Sequence, residues 1–218
     1  MDLVARLLEI EVSALCDADK GLPVVDPAVR AMVPDVRMAG PALTVVAPGD
    51  HLPVFSALDA ASPGDVLVIA TGGAPVAVAG ELFATEAKRR GVVGIVIDGY
   101  CRDVHGLRAL GLPVFARGTT PRSGTTVART TLGGRIDCGG VPVAAGDIVF
   151  ADDDGVVIAP PERIAAALET GEYIGRAERA MLAAMGRDEP LHDQTNFRAH
   201  VVALDAGEAS GLAFEIDA

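Results

Sequence analysis

The stretch GDVLVIATGGAPVAVAGELFATEAKRRGVVGIVIDGYCRD, Gly64–Asp103, decides the fold. GDVLVIAT (Gly64–Thr71) follows a Pro-Gly turn and is an almost unbroken apolar run. That is the pattern of a strand buried on both faces, where polar–apolar alternation has no purpose. It ends at Gly72-Gly73. Gly80–Arg90 then reads as a helix with Leu82, Phe83, Ala84 and Ala87 on one apolar side, and Gly91 stops it as a left-handed cap. VVGIVIDG (Val92–Gly99) is a second buried strand. Strand, helix and strand in this order make the unit of an α/β fold.

Working outward, residues 2–16 read as one helix from the spacing of Leu3, Leu7, Leu8 and Leu15. A Pro-rich connection leads to a strand in GPALTVVAPGD (Gly40–Asp50), and residues 51–62 read as a short helix. Downstream, residues 103–110 form a short helix and Pro113–Ala116 a strand. DIVFADDDGVVIAP (Asp147–Pro160) is a hairpin turning at Asp-Gly. A long helix follows over residues 161–185, with Ile164, Leu168, Ile174, Met181 and Leu182 inward and weakened by Gly171 and Gly175. The tail from about residue 186 has no clear assignment. With 218 residues and no repeat or linker, residues 1–218 read as a single α/β domain with a β-rich second half.

The formal net charge is −12, which argues against nucleic-acid binding, since phosphates demand clustered Lys and Arg. A local Arg can still hold a small anion against that field. Cys16, Cys101 and Cys138 form no CxxC pair, so a reducing compartment is expected, with no disulfide framework. MDLVARLLEIEVSAL lacks the basic start of a signal peptide, and no segment reaches membrane-spanning length. A cytoplasmic protein is the expectation.

Ligands of open α/β sheets bind outside the carboxyl ends of the strands. The first strand leads to Gly72-Gly73 and then Gly80-Glu81-Leu82 at a helix start. The second leads to Asp98-Gly99-Tyr100-Cys101-Arg102-Asp103. A helix start offers free N–H groups to a carboxylate, and Arg102 adds a forked cation. Glu81 and Asp103 offer hard oxygens for a divalent ion such as Mg²⁺ or Mn²⁺. Together they suit a small anionic oxo acid and a metal.

The same block, continued through HGLRALGLPVFARGTTP, resembles the RraA-like family, which includes 4-hydroxy-4-methyl-2-oxoglutarate aldolases and oxaloacetate decarboxylases. G-E-L at a helix start, D-G-x-x-R-D after the next strand and P-V-F-A-R-G agree in order and spacing, over roughly residues 40–160. The resemblance implies a swivelling α/β/β sandwich of the phosphohistidine-domain type, a homotrimer or hexamer with sites between subunits, and a metal-dependent lyase. That enzyme would cleave a small 2-oxo acid through a pyruvate enolate. It implies Arg102 and Glu81 as catalytic, Asp103 as the metal ligand, and Gly80, Glu81, Leu82 and Arg102 as substrate-binding. Other members regulate a ribonuclease by binding protein, and those can lack the Arg-Asp pair kept here. The family also carries an old methyltransferase label, but no glycine-rich nucleotide loop supports it.

A Schiff-base aldolase needs a buried lysine. Lys20 and Lys88 are the only lysines and both read as surface residues, which independently favours a metal route. Asp152, Asp153 and Asp154 read as hairpin-tip residues and Cys101 as space-filling. His51, His105, His192 and His200 show no ligand spacing, with His105 either at the cleft mouth or on ordinary surface. Of Glu169, Glu172 and Glu178, solvated on the long helix, Glu178 is the best candidate to complete a neighbouring subunit's site.

Overall fold

The computed structural model describes residues 2–129 and 132–215. Its centre is a run of parallel strands: β2 (Met38–Val46), β3 (Val66–Ala70), β5 (Gly94–Cys101) and β6 (Val114–Thr119). β3 ends at Ala70, and a short strand β4 (Ala77–Ala79) then takes its place beside the far end of β5. β1 (Arg30–Ala31) borders β6 antiparallel. At the other side the hairpin β9 (Ile148–Asp152) and β10 (Gly155–Ala159) adds antiparallel to β2. The segment before β1 touches β10 through a Val24–Val157 bridge, so the curved sheet almost closes on itself. β7 (Ile136–Cys138) and β8 (Val141–Val143) form a separate hairpin. This is the mixed α/β architecture expected of the swivelling sandwich.

The apolar runs behave as read. Val66, Leu67, Val68 and Ile69 are fully buried, and each such side chain contributes about 1.5–3 kcal/mol. One face of the sheet packs under α3 (Leu52–Ala60), α4 (Glu81–Arg89) and α5 (Val104–Leu110) through Leu58, Ala84, Ala87 and Leu107. The concave side holds Val68, Val96, Phe115, Val143 and Val156. A third cluster joins β9 and β10 to α1 (Leu3–Leu7), α2 (Val12–Ala18) and α6 (Pro161–Met185).

Four expectations need correction. The single helix over residues 2–16 is two, because Glu11 is extended and the amide of Val12 turns to the Asp152 carboxylate at 2.8 Å. The second buried strand, read as Val92–Gly99, spans Gly94–Cys101, so Tyr100 and Cys101 lie inside β5 rather than in a loop. The added pairing of Tyr100 with β4 and β6 extends it. Leu82 and Leu182 point outward, at 78% and 67% exposure. Gly171 and Gly175, read only as weak points, are buried where α6 meets α2. A side chain at 171 would begin 3.3 Å from Ile10 and 3.4 Å from Leu15, so glycine lets the helices close in. The unassigned tail contains a 3-10 turn (Leu191–Gln194) and α7 (Phe197–Asp205).

Gly40 in β2 faces the backbone of Gly64, where an added Cβ would come within 2.2 Å of a carbonyl oxygen that cannot move aside. Gly40→Ala is expected to destabilise the fold by about 3 kcal/mol. Gly134→Ala, facing open space, should stay within about 0.5 kcal/mol of the parent. Urea denaturation of the two variants checks this.

Candidate active site

β4, β5 and β6 run parallel and end at the same level, with Ala79 beside Cys101 and Cys101 beside Thr119. Two backbone bonds lock the exits: the amide of Arg102 donates to Ala79 at 3.1 Å, and that of Thr120 to Cys101 at 3.0 Å. Three loops therefore leave side by side. The loops after β5 and β6 line a cleft of 340 Å³ with Arg102, Asp103, Val104, Thr119, Thr120 and Pro121, and the one after β4 borders it at Asp103.

Asp103 makes the corner. Its φ of 59° and ψ of 40° lie in the left-handed region, which Asp tolerates better than most residues. The chain turns there from β5 into α5, and the carboxylate points back at the start of α4. It accepts the amide of Glu81 at 3.3 Å and lies 3.5 Å from Nε of Arg102. Both contacts are long, and the two side chains keep 43% and 34% exposure, so Asp103 and Arg102 retain bonding capacity for a ligand.

Gly80 starts α4 because nothing larger fits: a Cβ there would meet the Asp103 carboxylate at 2.4 Å and Cγ of Arg102 at 2.9 Å. The first-turn amides of Leu82 and Phe83 have no partner within the helix. The Glu81 carboxylate lies against α5 at Gly106, beside the cleft rather than in its lining. Gly80, Glu81, Arg102 and Asp103 are thus brought together as expected, while the Leu82 side chain projects into solvent.

Sequence reasoning missed the opposite wall, Thr119-Thr120-Pro121, and the struts behind it. Asp50 is buried and accepts the Thr125 hydroxyl at 2.6 Å and the amides of Val127, Ala128 and Leu52 at 2.8, 3.0 and 2.8 Å. His51 is buried beside it. Nδ1 faces the carbonyl of Val78 at 2.9 Å, which can only accept, so Nδ1 carries the proton. Nε2 lies 3.1 Å from the Ser123 hydroxyl. The ring stacks on Phe83 of α4 at 5.5 Å. Asp50 and His51 thereby tie the 123–128 segment to β4 and α4. The available signal was two polar residues opening an apolar helix.

The other candidates resolve into structural roles. Lys88 donates to the carbonyl of Leu110 at 2.6 Å, and Lys20 pairs with Asp17. Cys101 is buried, and burial pushes its thiol up to about 11, which leaves it unreactive at neutral pH. Asp152 and Asp153 bind the amides of Val12 and Asp35 and fix the hairpin tip. His105 is exposed and does not line the cleft. Glu172 pairs with Arg6 at 2.7 Å, and Glu178 borders an apolar hollow formed with the tail. Asp98 and Arg117, which belong to the D-G-x-x-R-D and P-V-F-A-R-G motifs, form a strut with Asp26: Nη1 of Arg117 lies 2.7 Å from Asp26, and the other oxygen of Asp98 accepts from the amide of Gly139 at 2.9 Å. A larger cavity of 430 Å³ lies at the hairpin tip, but Glu11, Asp35, Asp152, Asp153 and Asp154 face it with Arg37 alone, a setting hostile to an anionic ligand.

No group of three or more metal-ligating side chains occurs among the described residues. A cation at Asp103 would have one carboxylate from these residues, with solvent completing its shell. That donor set suits Mg²⁺, which keeps most of its waters.

The chain belongs to the RraA-like family, whose model, described as Aldolase/RraA, matches residues 12–158. It is 38% identical over 162 residues to a protein of Halalkalibacterium halodurans named "Putative 4-hydroxy-4-methyl-2-oxoglutarate aldolase", covering 73% of this chain and 77% of that one. An uncharacterized Pseudomonas syringae protein superposes with a TM-score of 0.77 at 24% identity, over 88% and 95% of the two chains. RraAS2 of Streptomyces coelicolor, described as an unusual member of the RNase ES inhibitor RraA protein family, superposes with a TM-score of 0.71 at 28% identity, over 81% and 93%. No helix among the described residues is long and apolar enough to cross a membrane.

The Asp50 carboxyl is subject to burial, which favours its neutral form. The Thr125 hydroxyl and the Ala128, Val127 and Leu52 amides outweigh that and hold it well below the usual carboxylate range. Its stabilisation is therefore present above the unfolded-state value near about 4 and is lost as pH falls towards the depressed folded one. Asp50→Asn is expected to lower stability at pH 7 and to flatten its decline below pH ~4. Thermal melts from pH 7 to pH 2 read both effects.

Proposed function

We propose that this protein is a metal-dependent lyase that cleaves a small 2-oxo acid, of the 4-hydroxy-4-methyl-2-oxoglutarate or oxaloacetate type, to pyruvate. The observation that carries this reading is that Arg102 and Asp103 line one cleft while Asp103 also meets the unpartnered start of α4. The substrate's 1-carboxylate sits on the amides that follow Gly80, where the helix dipole favours negative charge. The guanidinium of Arg102 lies against the 2-oxo oxygen. A divalent ion held by Asp103, with Glu81 through water, supplies Lewis-acid polarisation of that oxygen when bound.

The C3–C4 bond breaks and its electron pair becomes the C2–C3 double bond of the enolate, whose negative oxygen Arg102 stabilises. In an aldol substrate the 4-hydroxyl proton leaves to water beside Glu81, and a ketone departs. In oxaloacetate the 4-carboxylate departs as CO₂. Both routes end when the enolate takes a proton at C3. Thr119 and Thr120 present hydroxyls to the leaving fragment across the cleft. The family resemblance further supports a homotrimer or hexamer, with the site completed by a neighbouring subunit.

A second reading is a non-catalytic binding protein that regulates a ribonuclease. The likeness to the Streptomyces coelicolor protein favours it, as do Leu182, Leu191, Phe197 and Val202, all at least 46% exposed on α6 and the tail.

Pyruvate release from oxaloacetate, corrected for spontaneous decarboxylation, separates the two. Arg102→Ala is expected to lose about 3 kcal/mol of transition-state stabilisation, on the order of 100-fold in kcat. Asp103→Ala should match wild-type protein in excess EDTA. An Arg102→Ala rate within about tenfold of wild type removes Arg102 from the chemistry. Wild-type protein inactive on both substrate types, yet retaining a ribonuclease stoichiometrically, favours the binding reading.

A further inference from the structure

Gly106 stands in the middle of α5, where glycine is the poorest helix former after proline. Its φ is not in the left-handed region, so the backbone does not require it. Nor does the core, which α5 enters through Leu107 instead. The requirement comes from across the helix pair. A Cβ on residue 106 would lie 2.1 Å from Oε2 of Glu81, 2.2 Å from its Cδ and 2.7 Å from its Cγ. All three nearest atoms belong to that one side chain. The bare face of α5 is therefore the surface on which the Glu81 carboxyl rests.

We propose that Gly106 is a positioning residue, whose missing side chain seats the Glu81 carboxylate beside Asp103. This rests on the role given to Glu81 in the proposed lyase. Glu81 is exposed and its end is flexible, so a methyl at 106 displaces the carboxylate rather than the helix. Glycine thus trades helix stability for the placement of an acid, and replacing it moves stability and catalysis in opposite directions.

The test uses wild-type protein, Gly106→Ala, Glu81→Ala and the double variant, each measured for Tm and for kcat and KM of oxaloacetate decarboxylation with Mg²⁺. Gly106→Ala is expected to raise Tm by about 2 °C through helix propensity. It should lower kcat by about tenfold, the scale of a misplaced catalytic group. In the Glu81→Ala background the same change should leave kcat within about twofold, because the seat has lost its occupant. An equal fall of kcat in both backgrounds, or no fall with Glu81 present, overturns the proposal. Wild-type protein inactive on both substrate types defeats the lyase reading instead. The seat is then judged from the crystal structure of Gly106→Ala: a Glu81 carboxylate swung away from α5 supports it, and an unmoved one overturns it.

Discussion

The parallel pairing of β4, β5 and β6 is the constraint on which the site depends. Ala79, Cys101 and Thr119 lie side by side, so the residues that follow them are forced out at one level. A one-residue slip of β4 against β5 would remove the Arg102–Ala79 backbone bond and carry Gly80 away from Asp103. The crossover from β3 achieves this unusually. β3 stops short, and the chain comes back as β4 to extend the same edge of β5, which brings the start of α4 to the end of the sheet. Behind the cleft, the buried Asp50 and His51 tie the following segment to the same elements.

Two Arg–Asp pairs occur within twenty residues of one another and have opposite fates. Arg117 is shared by Asp98 and Asp26, and Asp98 is further satisfied by Gly139. These groups engage one another directly, and the hydrogen bonds that Arg117 donates to Asp26 first and then to Asp98 raise its pKa. Arg102 and Asp103 are adjacent in sequence and cannot satisfy one another well. Their contact is 3.5 Å, and both remain partly exposed. Spare hydrogen-bonding capacity in a cleft is what a ligand can use. That difference, rather than residue type, separates the strut from the candidate catalytic pair.

The buried strands, the α4 boundaries, the β9–β10 hairpin and α6 were legible because apolar runs, a glycine cap and a polar turn are local signals, although the hairpin turns at Asp153-Asp154, with Gly155 already paired to Asp152, rather than at Asp-Gly. The break between α1 and α2 was not, since it depends on Asp152, 140 residues distant. β4 was invisible because AVA is too short for a pattern and forms only by pairing with the end of β5. In the site, Arg102, Asp103, Glu81 and Gly80 followed from motif order. The wall of Thr119 and Thr120, the burial of His51 and the seat at Gly106 depend on how separate loops meet, which spacing along the chain does not encode. Tyr100 and Cys101 were left out of the strand for the same reason: they are drawn into it by pairing with β4 and β6.

The most direct test of the central claim, that this cleft makes and protonates a pyruvate enolate, is proton exchange on the product. Pyruvate is incubated in D₂O with the protein and Mg²⁺, and the C3 methyl signal is followed by proton NMR. Exchange is the last catalytic step in reverse, so it needs neither leaving group nor natural substrate. The account predicts loss of the methyl signal well above the buffer rate, abolished by EDTA and by Arg102→Ala. A folded protein that exchanges no faster than buffer with Mg²⁺ present would contradict it.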